Sequence, residues 1–237
     1  MPKTPLKVLI VMTSHGLLGD TGRPTGLWLE ELAVPYYALD AGAEVTLASI
    51  AGGEVPLDPQ SIRGTGDIPP EVQRFLDDAN AMTALKTTLS LDQLDTTAYD
   101  AIFLPGGHGT MWDFPGNAPL AAAISKAHDA GRVIAAVCHG VAGLVSATRR
   151  DDRPVVEGKR ISSFTDAEEE AAGLTSVVPF LLETRLRELG ARIEKAPNFQ
   201  PFAVRDGGLI TGQNPASAGH VVQPVVQALG EQRPSSR

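Results

Sequence analysis

One cysteine, Cys138, is present in 237 residues, so no internal disulfide can form and no multi-thiol zinc site can be built. That usage fits a reducing, cytoplasmic compartment. Positive charge is also scarce. Twenty Lys and Arg face 28 Asp and Glu, for a net charge of −8, and the basic residues cluster no further than pairs such as Arg149-Arg150. A nucleic-acid-binding surface is therefore not expected. No apolar run approaches the ~20 residues of a membrane span. The opening "MPKTPLKVLIVMTS" has basic residues and a short apolar stretch, but no small-residue cleavage site follows, so it reads as a first strand and not as a leader. There is no internal repeat.

What remains is the composition of an ordinary globular protein, 43% hydrophobic and 20% charged, long enough to bury a sizeable core. Five short apolar runs recur, at 8–12, 45–50, 101–105, 133–137 and 209–212. Each is nearly continuous, as in strands of a parallel sheet buried on both faces. Helical segments are expected between them: 27–41 with Pro35 as a kink, 118–130 ending at Gly131, 176–189 ending at Gly190, and 217–229 with Pro224 inside. Val178, Leu181, Leu182, Leu186 and Leu189 form one predicted apolar stripe. Val221, Val222, Val225, Val226 and Leu229 form another. Alternating strands and helices imply an α/β three-layer sandwich with a mostly parallel central sheet, flavodoxin-like, flanked by helices. A single domain is expected over 1–230, with an excursion over the sheet at 51–97 and a disordered tail at 231–237.

Cys138 closes the run "VIAAV", which puts it at the carboxyl end of a strand, where open α/β sheets carry their sites. Ala136-Val137-Cys138-His139-Gly140 has the pattern of a nucleophile elbow, with small residues two places to either side of the tip. Neighbours on a regular strand face opposite ways, so His139 shares a pocket with Cys138 only if the chain turns there. A helix N-terminus and a nearby imidazolium are expected to lower the thiol pKa. The plain alternative is a buried cysteine packed as a small hydrophobe. Attack on a carbonyl needs oxyanion donors. The loop "PGGHGT" offers Gly106, Gly107 and His108 at another strand end, with the His139 N–H as second donor. His139 needs a partner to fix its tautomer, and Asp166, Glu168, Glu169 and Glu170 are candidates that spacing does not separate. Acids in a first helical turn also simply complement the helix dipole. A further carboxyl is Glu30 or Glu31. Glu31 shares a helical stripe with Leu27, Val34 and Ala38, so burial would raise its pKa. His15, at a strand end, is a possible pocket residue.

"TGLWLEELAVPYY", "PGGHGTMWDFP", "AAVCHG", "FTDAEEE" and "LITGQNPAS", in this order, resemble the ThiJ/PfpI superfamily, in its glyoxalase III-like, heat-shock-chaperone-like branch. The resemblance runs from about residue 6 to 229. It implies the class I glutamine-amidotransferase-like fold, Cys138 as nucleophile, His139 beside it, Glu169 as the acid of the triad with Glu170 as runner-up, and Glu31 as the glutamate near the first helix. It further implies Gly107 and His139 as oxyanion donors, no cofactor or metal, and a homodimer. Gly140-Val141 stands where many relatives carry a proline after the small residue, which would loosen the helix start. The implied activities are glutathione-independent conversion of methylglyoxal to lactate, protein deglycation and holdase chaperone function.

The expected chemistry is addition of Cys138 to a small reactive aldehyde, transfer of a proton from C1 to C2 with His139 as main base and Glu31 handling hydroxyl and thiol protons, and thioester hydrolysis. No nicotinamide is needed, and no G-x-G-x-x-G is present. The competing readings are a redox-sensing or holdase stress protein with little turnover, or another cysteine hydrolase of this fold. A glutaminase is disfavoured because none of the five histidines begins an H-x-E.

Overall fold

The computed structural model describes residues 5–63 and 68–232. In chain order the elements are β1 (Leu6–Met12), α1 (Glu30–Asp40), β2 (Ala43–Ser49), α2 (Pro59–Arg63), α3 (Pro70–Asp77), α4 (Ala79–Lys86), β3 (Leu89–Ser90) and β4 (Ala101–Leu104). There follow α5 (Thr110–Asp113), α6 (Ala118–Asp129), β5 (Val133–Val137), β6 (Arg160–Ile161), α7 (Asp166–Ala171), α8 (Leu182–Glu188), β7 (Arg192–Ile193), β8 (Ala203–Asp206), β9 (Leu209–Gly212) and α9 (Ala218–Gln232).

Seven strands form one sheet in the order β3-β2-β1-β4-β5-β9-β8, parallel except where β8 returns antiparallel beside β9. Period-two alternation divides the core. Val8, Ile10, Met12, Phe103, Val133, Ala135, Val137 and Ile210 point to one face, where Leu32 of α1 and Val221 and Val225 of α9 cover them. Leu9, Val11, Ile102, Leu104, Ile134 and Ala136 point to the other, under Leu120 and Ile124 of α6 and Leu182 and Leu186 of α8. With both faces covered, each such Leu or Ile gains about 1.5–3 kcal/mol from burial, which is why the strands read as continuous apolar runs. The three-layer α/β expectation is met.

Several boundaries differ from the sequence reading. The segment 176–189 is helical only as α8, because Pro179 sterically disfavours helix at the residue before it. The helix α1 begins at Glu30, since Leu27 is held extended in a bridge with Leu57. It runs on through Pro35, and α9 runs through Pro224 to Gln232, so 233–237 of the expected tail lies outside the described residues. Val226, placed on the buried face of that helix, is half exposed. The stretch 51–97 carries α2, α3, α4 and β3, with 64–67 outside the described residues. The edge strand β8 and the small β6–β7 pair were not foreseen, although "RDGGLI" is a hairpin signal.

Candidate active site

The strand order reverses at β1: the chain goes from β1 to β2 on one side and later adds β4 and β5 on the other. The crevice at such a switch point lies off the carboxyl ends of the strands. Leu104 pairs with Ala136, so the loop after β4 and the elbow after β5 emerge side by side.

Cys138 sits at the elbow with φ of +56°, a conformation that a non-glycine residue adopts only when its surroundings impose it. The surroundings are tight. A Cβ on Gly140 would come within 2.2 Å of the Leu104 carbonyl oxygen. One on Gly106 would meet the Gly140 and His139 nitrogens and Glu31 Oε2, all under 3.0 Å. The Thr110 hydroxyl lies 2.9 Å from both the Gly107 and His139 carbonyl oxygens and clamps the two loops. Beyond the elbow, Cys138–Leu144 is a 3₁₀ segment buried throughout, with Val141 packed in the core where a proline was absent from the pattern.

The turn brings Cys138 and His139 together, with Sγ 3.3 Å from His139 Nδ1. On the far side of the ring, Nε2 lies 2.8 Å from Glu169 Oε2. The other oxygen, Glu169 Oε1, lies 2.8 Å from His108 Nε2. Among the four acids of the FT segment, Glu169 is therefore the one that reaches His139. Glu170 is exposed. Asp166 binds Thr184. Glu168 is buried and forms a capping box with Thr165. It also accepts from the Phe199 N–H and from the amides of Gln213 and Asn214. Glu168 therefore bolts α7 to the loops around β9, a structural role that the dipole argument understated.

Glu31 is fully buried, but not on the predicted stripe: Leu27 precedes the helix and Ala38 is exposed, and the buried face is Glu31, Leu32, Pro35 and Leu39. The Gly106 N–H donates to Glu31 Oε2 at 2.6 Å. That bond corrects the expectation that Gly106 serves an oxyanion: its N–H is spent on Glu31. The His139 N–H is likewise turned to the sulfur. Gly107, with φ of +102° and packed against Gly26 and Trp28, keeps an N–H with no acceptor among the described residues. His15 does not join the site. It stacks on Trp112 and its Nε2 meets the Leu17 carbonyl.

Electrostatics reverse one expectation. Burial, then the Glu31 carboxyl, push the Cys138 thiol well above its ordinary value, against a smaller lowering by the His139 N–H. Burial pushes Glu31 itself up to about 8, against the pull of the Gly106 N–H and of the neighbouring Cys138 thiol. Burial and the neighbouring His108 bring His139 down to about 4. Burial would raise Glu169, but the bonds from His108 and His139 outweigh it and hold the carboxyl at about 2. At neutral pH the resting site is therefore a protonated thiol, a protonated Glu31, a neutral His139 and an ionised Glu169. No imidazolium lowers the thiol, and the 3₁₀ segment offers less dipole than the expected helix. Because Glu169 only accepts, His139 carries its proton on Nε2 and leaves Nδ1 bare toward the sulfur.

Above the sulfur opens a cavity of about 490 Å³ whose wall includes Trp28, Phe164, Phe199, His108, His139 and Cys138. Phe164 packs on the His139 ring at 4.3 Å between centroids, and its N–H bonds the Cys138 carbonyl. His108, His139 and Glu169 bring possible ligand atoms within 4.8 Å of one another. A metal ion would have to displace both Nε2 protons and the two hydrogen bonds they make, so the donor set as arranged suits a proton network better than a cation.

Residues 26–228 match the DJ-1/PfpI family. The chain belongs to that family. It is 30% identical to Glyoxalase 3 of Candida albicans over 94% of its length and 98% of that protein's. It is also 30% identical to the glutathione-independent glyoxalase HSP31 of Saccharomyces cerevisiae, covering 95% of this chain and 98% of that one. The crystal structure of the Candida albicans glyoxalase III superposes with a TM-score of 0.86 at 30% identity, over 94% of this chain and 97% of that one. That of the 24 kDa Rapid Encystment Protein of Francisella tularensis superposes with a TM-score of 0.90 at 39% identity, over 94% and 99%. Among the described residues no helix is long and apolar enough to cross a membrane.

Sequence reasoning missed the Glu168–Gln213–Asn214 bolt, the Thr110 clamp and the pairing of the His108 side chain with Glu169. The "QN" directly after β9 was the available signal, since polar pairs at a strand's carboxyl end lie beside the site in this fold class.

Proposed function

We propose that this protein is a glutathione-independent glyoxalase that converts methylglyoxal and related 2-oxoaldehydes to 2-hydroxy acids through Cys138. The observation that carries the reading is the Cys138–His139–Glu169 chain, closed by contacts of 3.3 and 2.8 Å at the wall of an accessible cavity. Full-length similarity to proteins named as glutathione-independent glyoxalases supports it.

His139 Nδ1 takes the thiol proton as the sulfur adds to the aldehyde carbon, and the Glu169 carboxylate stabilises the imidazolium formed. The Gly107 N–H faces the developing oxyanion. His139 then returns the proton to that oxygen and completes a hemithioacetal. A 1,2-proton shift oxidises C1 by two electrons and reduces C2 by two, so no external redox partner enters. Glu31, protonated at neutral pH, is placed to hydrogen-bond the sulfur and to exchange a proton with it. Water then cleaves the thioester and restores the thiol.

A raised, buried thiol disfavours the redox-sensor alternative, because oxidation proceeds through the thiolate. The homodimer and the cytoplasmic location belong to this reading as well, and sedimentation velocity giving a monomer would overturn the former. The central test is lactate formation from methylglyoxal without glutathione. Cys138→Ala is expected to abolish it, and equal rates for variant and wild type would end the proposal.

A further inference from the structure

We propose that His108 is a second catalytic residue of this reaction, and that its Nδ1 carries the proton from C1 to C2 of the thiol-bound substrate. The inference rests on the glyoxalase reading and gives the carbon-bound proton to His108 in place of His139, the main base expected from the sequence.

The cavity wall contains five titratable side chains: Arg23, Asp58, His108, Cys138 and His139. Arg23 offers only N–H donors. Asp58 has one oxygen bonded by the Gln60 N–H and the other by the Thr25 hydroxyl. Cys138 is the nucleophile, and His139 Nδ1 lies against its sulfur with the ring almost wholly buried. Two acids adjoin the wall without being open to it. Glu31 is sealed behind Gly106, whose N–H it accepts. Both oxygens of Glu169 are taken by imidazoles.

His108 differs from all of these. Its Nε2 donates to Glu169 Oε1 at 2.8 Å, which fixes the tautomer and leaves a lone pair on Nδ1. That Nδ1 has no hydrogen-bond partner among the described residues and is not one of their fully buried unpartnered side-chain atoms, so it keeps some exposure on a ring that forms part of the cavity wall. The ring stands 4.0 Å from that of His139, centroid to centroid, beside the nucleophile.

The shared carboxylate orders the steps. One Glu169 neutralises one imidazolium well, and two imidazolium rings at that separation repel. His139 must therefore hand the thiol proton to the substrate oxygen before His108 accepts another. Then C1–H breaks, its proton goes to His108 Nδ1, and its electron pair forms the C1–C2 double bond. The proton of the C1 hydroxyl passes to the C2 oxygen, giving an enediolate. Its C1 oxygen then re-forms a carbonyl as C2 takes the proton back from His108, leaving a thioester at C1 and an alcohol at C2. Atoms and electrons balance within the substrate.

The experiment compares wild type, His108→Gln and His108→Ala on methylglyoxal bearing hydrogen or deuterium at the aldehyde carbon, and measures alkylation of Cys138 by iodoacetamide in each. Glutamine keeps an N–H for Glu169 but has no basic nitrogen. Both variants are expected to lose at least about 100-fold in kcat, the range of a missing general base. The deuterium effect on kcat should rise, and Cys138 alkylation should stay within about twofold of wild type. Three results overturn the proposal: wild-type-like kcat in either variant, recovery of activity by glutamine but not alanine, or loss of alkylation in parallel with turnover, which would make His108 a positioning residue. A wild type that forms no lactate overturns the glyoxalase reading itself.

Discussion

The fate of one proton decides how Cys138 works. A lone thiol beside a histidine suggests a thiolate at rest, but Cys138 is buried against a carboxyl, and both factors favour the protonated form. Activation therefore waits for substrate and for the bare Nδ1 of His139. Glu31→Gln tests this reading. The substitution keeps an acceptor for the Gly106 N–H and removes the charge that raises the thiol, so Cys138 alkylation should titrate at lower pH than in wild type. Turnover should fall at the same time, because glutamine cannot carry a proton. The variant should also be more stable. The folded-state pKa of Glu31 is raised from 4.5 to about 8, so the folded protein holds a proton that the unfolded chain releases, and stability is lost as pH rises from 4.5 to 8. Glutamine abolishes that loss, which by the energy of a pKa unit is a few kcal/mol at pH 8 and absent below pH 4, and urea denaturation across this range measures it.

Among the elements, α7 shows how a short helix places a catalytic carboxylate. Six residues do not hold a helix in water. Thr165 caps it, and Glu168 closes the box and then reaches across to Phe199, Gln213 and Asn214. Glu169 is the next residue, so its position under two imidazoles depends on that anchor. Glu168→Ala leaves the buried amides of Gln213 and Asn214 and the half-buried Phe199 N–H without this acceptor and is expected to destabilise the fold by roughly 3–5 kcal/mol. In protein that remains folded at low temperature, kcat should drop by more than tenfold with Cys138 still present and reduced. A variant as active and as stable as wild type would show that the anchor is dispensable.

Acid sensitivity belongs to the whole molecule. His139 is lowered from 6.5 to about 4, so between those values the unfolded chain binds a proton that the folded one refuses, and stability falls as pH drops through that window. Glu169, lowered from 4.5 to about 2, contributes stability that is present above 4.5 and lost as pH falls toward 2. Between pH 6.5 and 4.5 the loss at His139 is offset by the stability that Glu31 regains over the same range, so the site should steepen acid unfolding only below pH 4.5. Replacing His139 with Asn should leave the Glu31 gain uncompensated, so that the slope between pH 6.5 and 4.5 changes sign in equilibrium denaturation. An unchanged slope would mean that His139 titrates normally.

Patterns that depend on near neighbours in the chain were legible in the amino acids alone. Continuous apolar runs set the parallel sheet, because strands covered on both faces have no polar side to show. Small residues around Cys138 set the elbow, because only they admit the Leu104 carbonyl so close. The pairing of His139 with a carboxylate was expected, but spacing did not separate the four acids and only the family resemblance pointed to Glu169, since the choice depends on where α7 is anchored. His108 meets Glu169 across 61 residues of chain. The state of the thiol was read wrongly because a pKa follows burial and facing charge, and only the packing of α1 beneath the Gly106 loop puts Glu31 there. Local sequence determined which groups are available and where the chain bends. Tertiary structure decided which groups face one another and which hold a proton, because those depend on distance and desolvation between segments far apart in the chain.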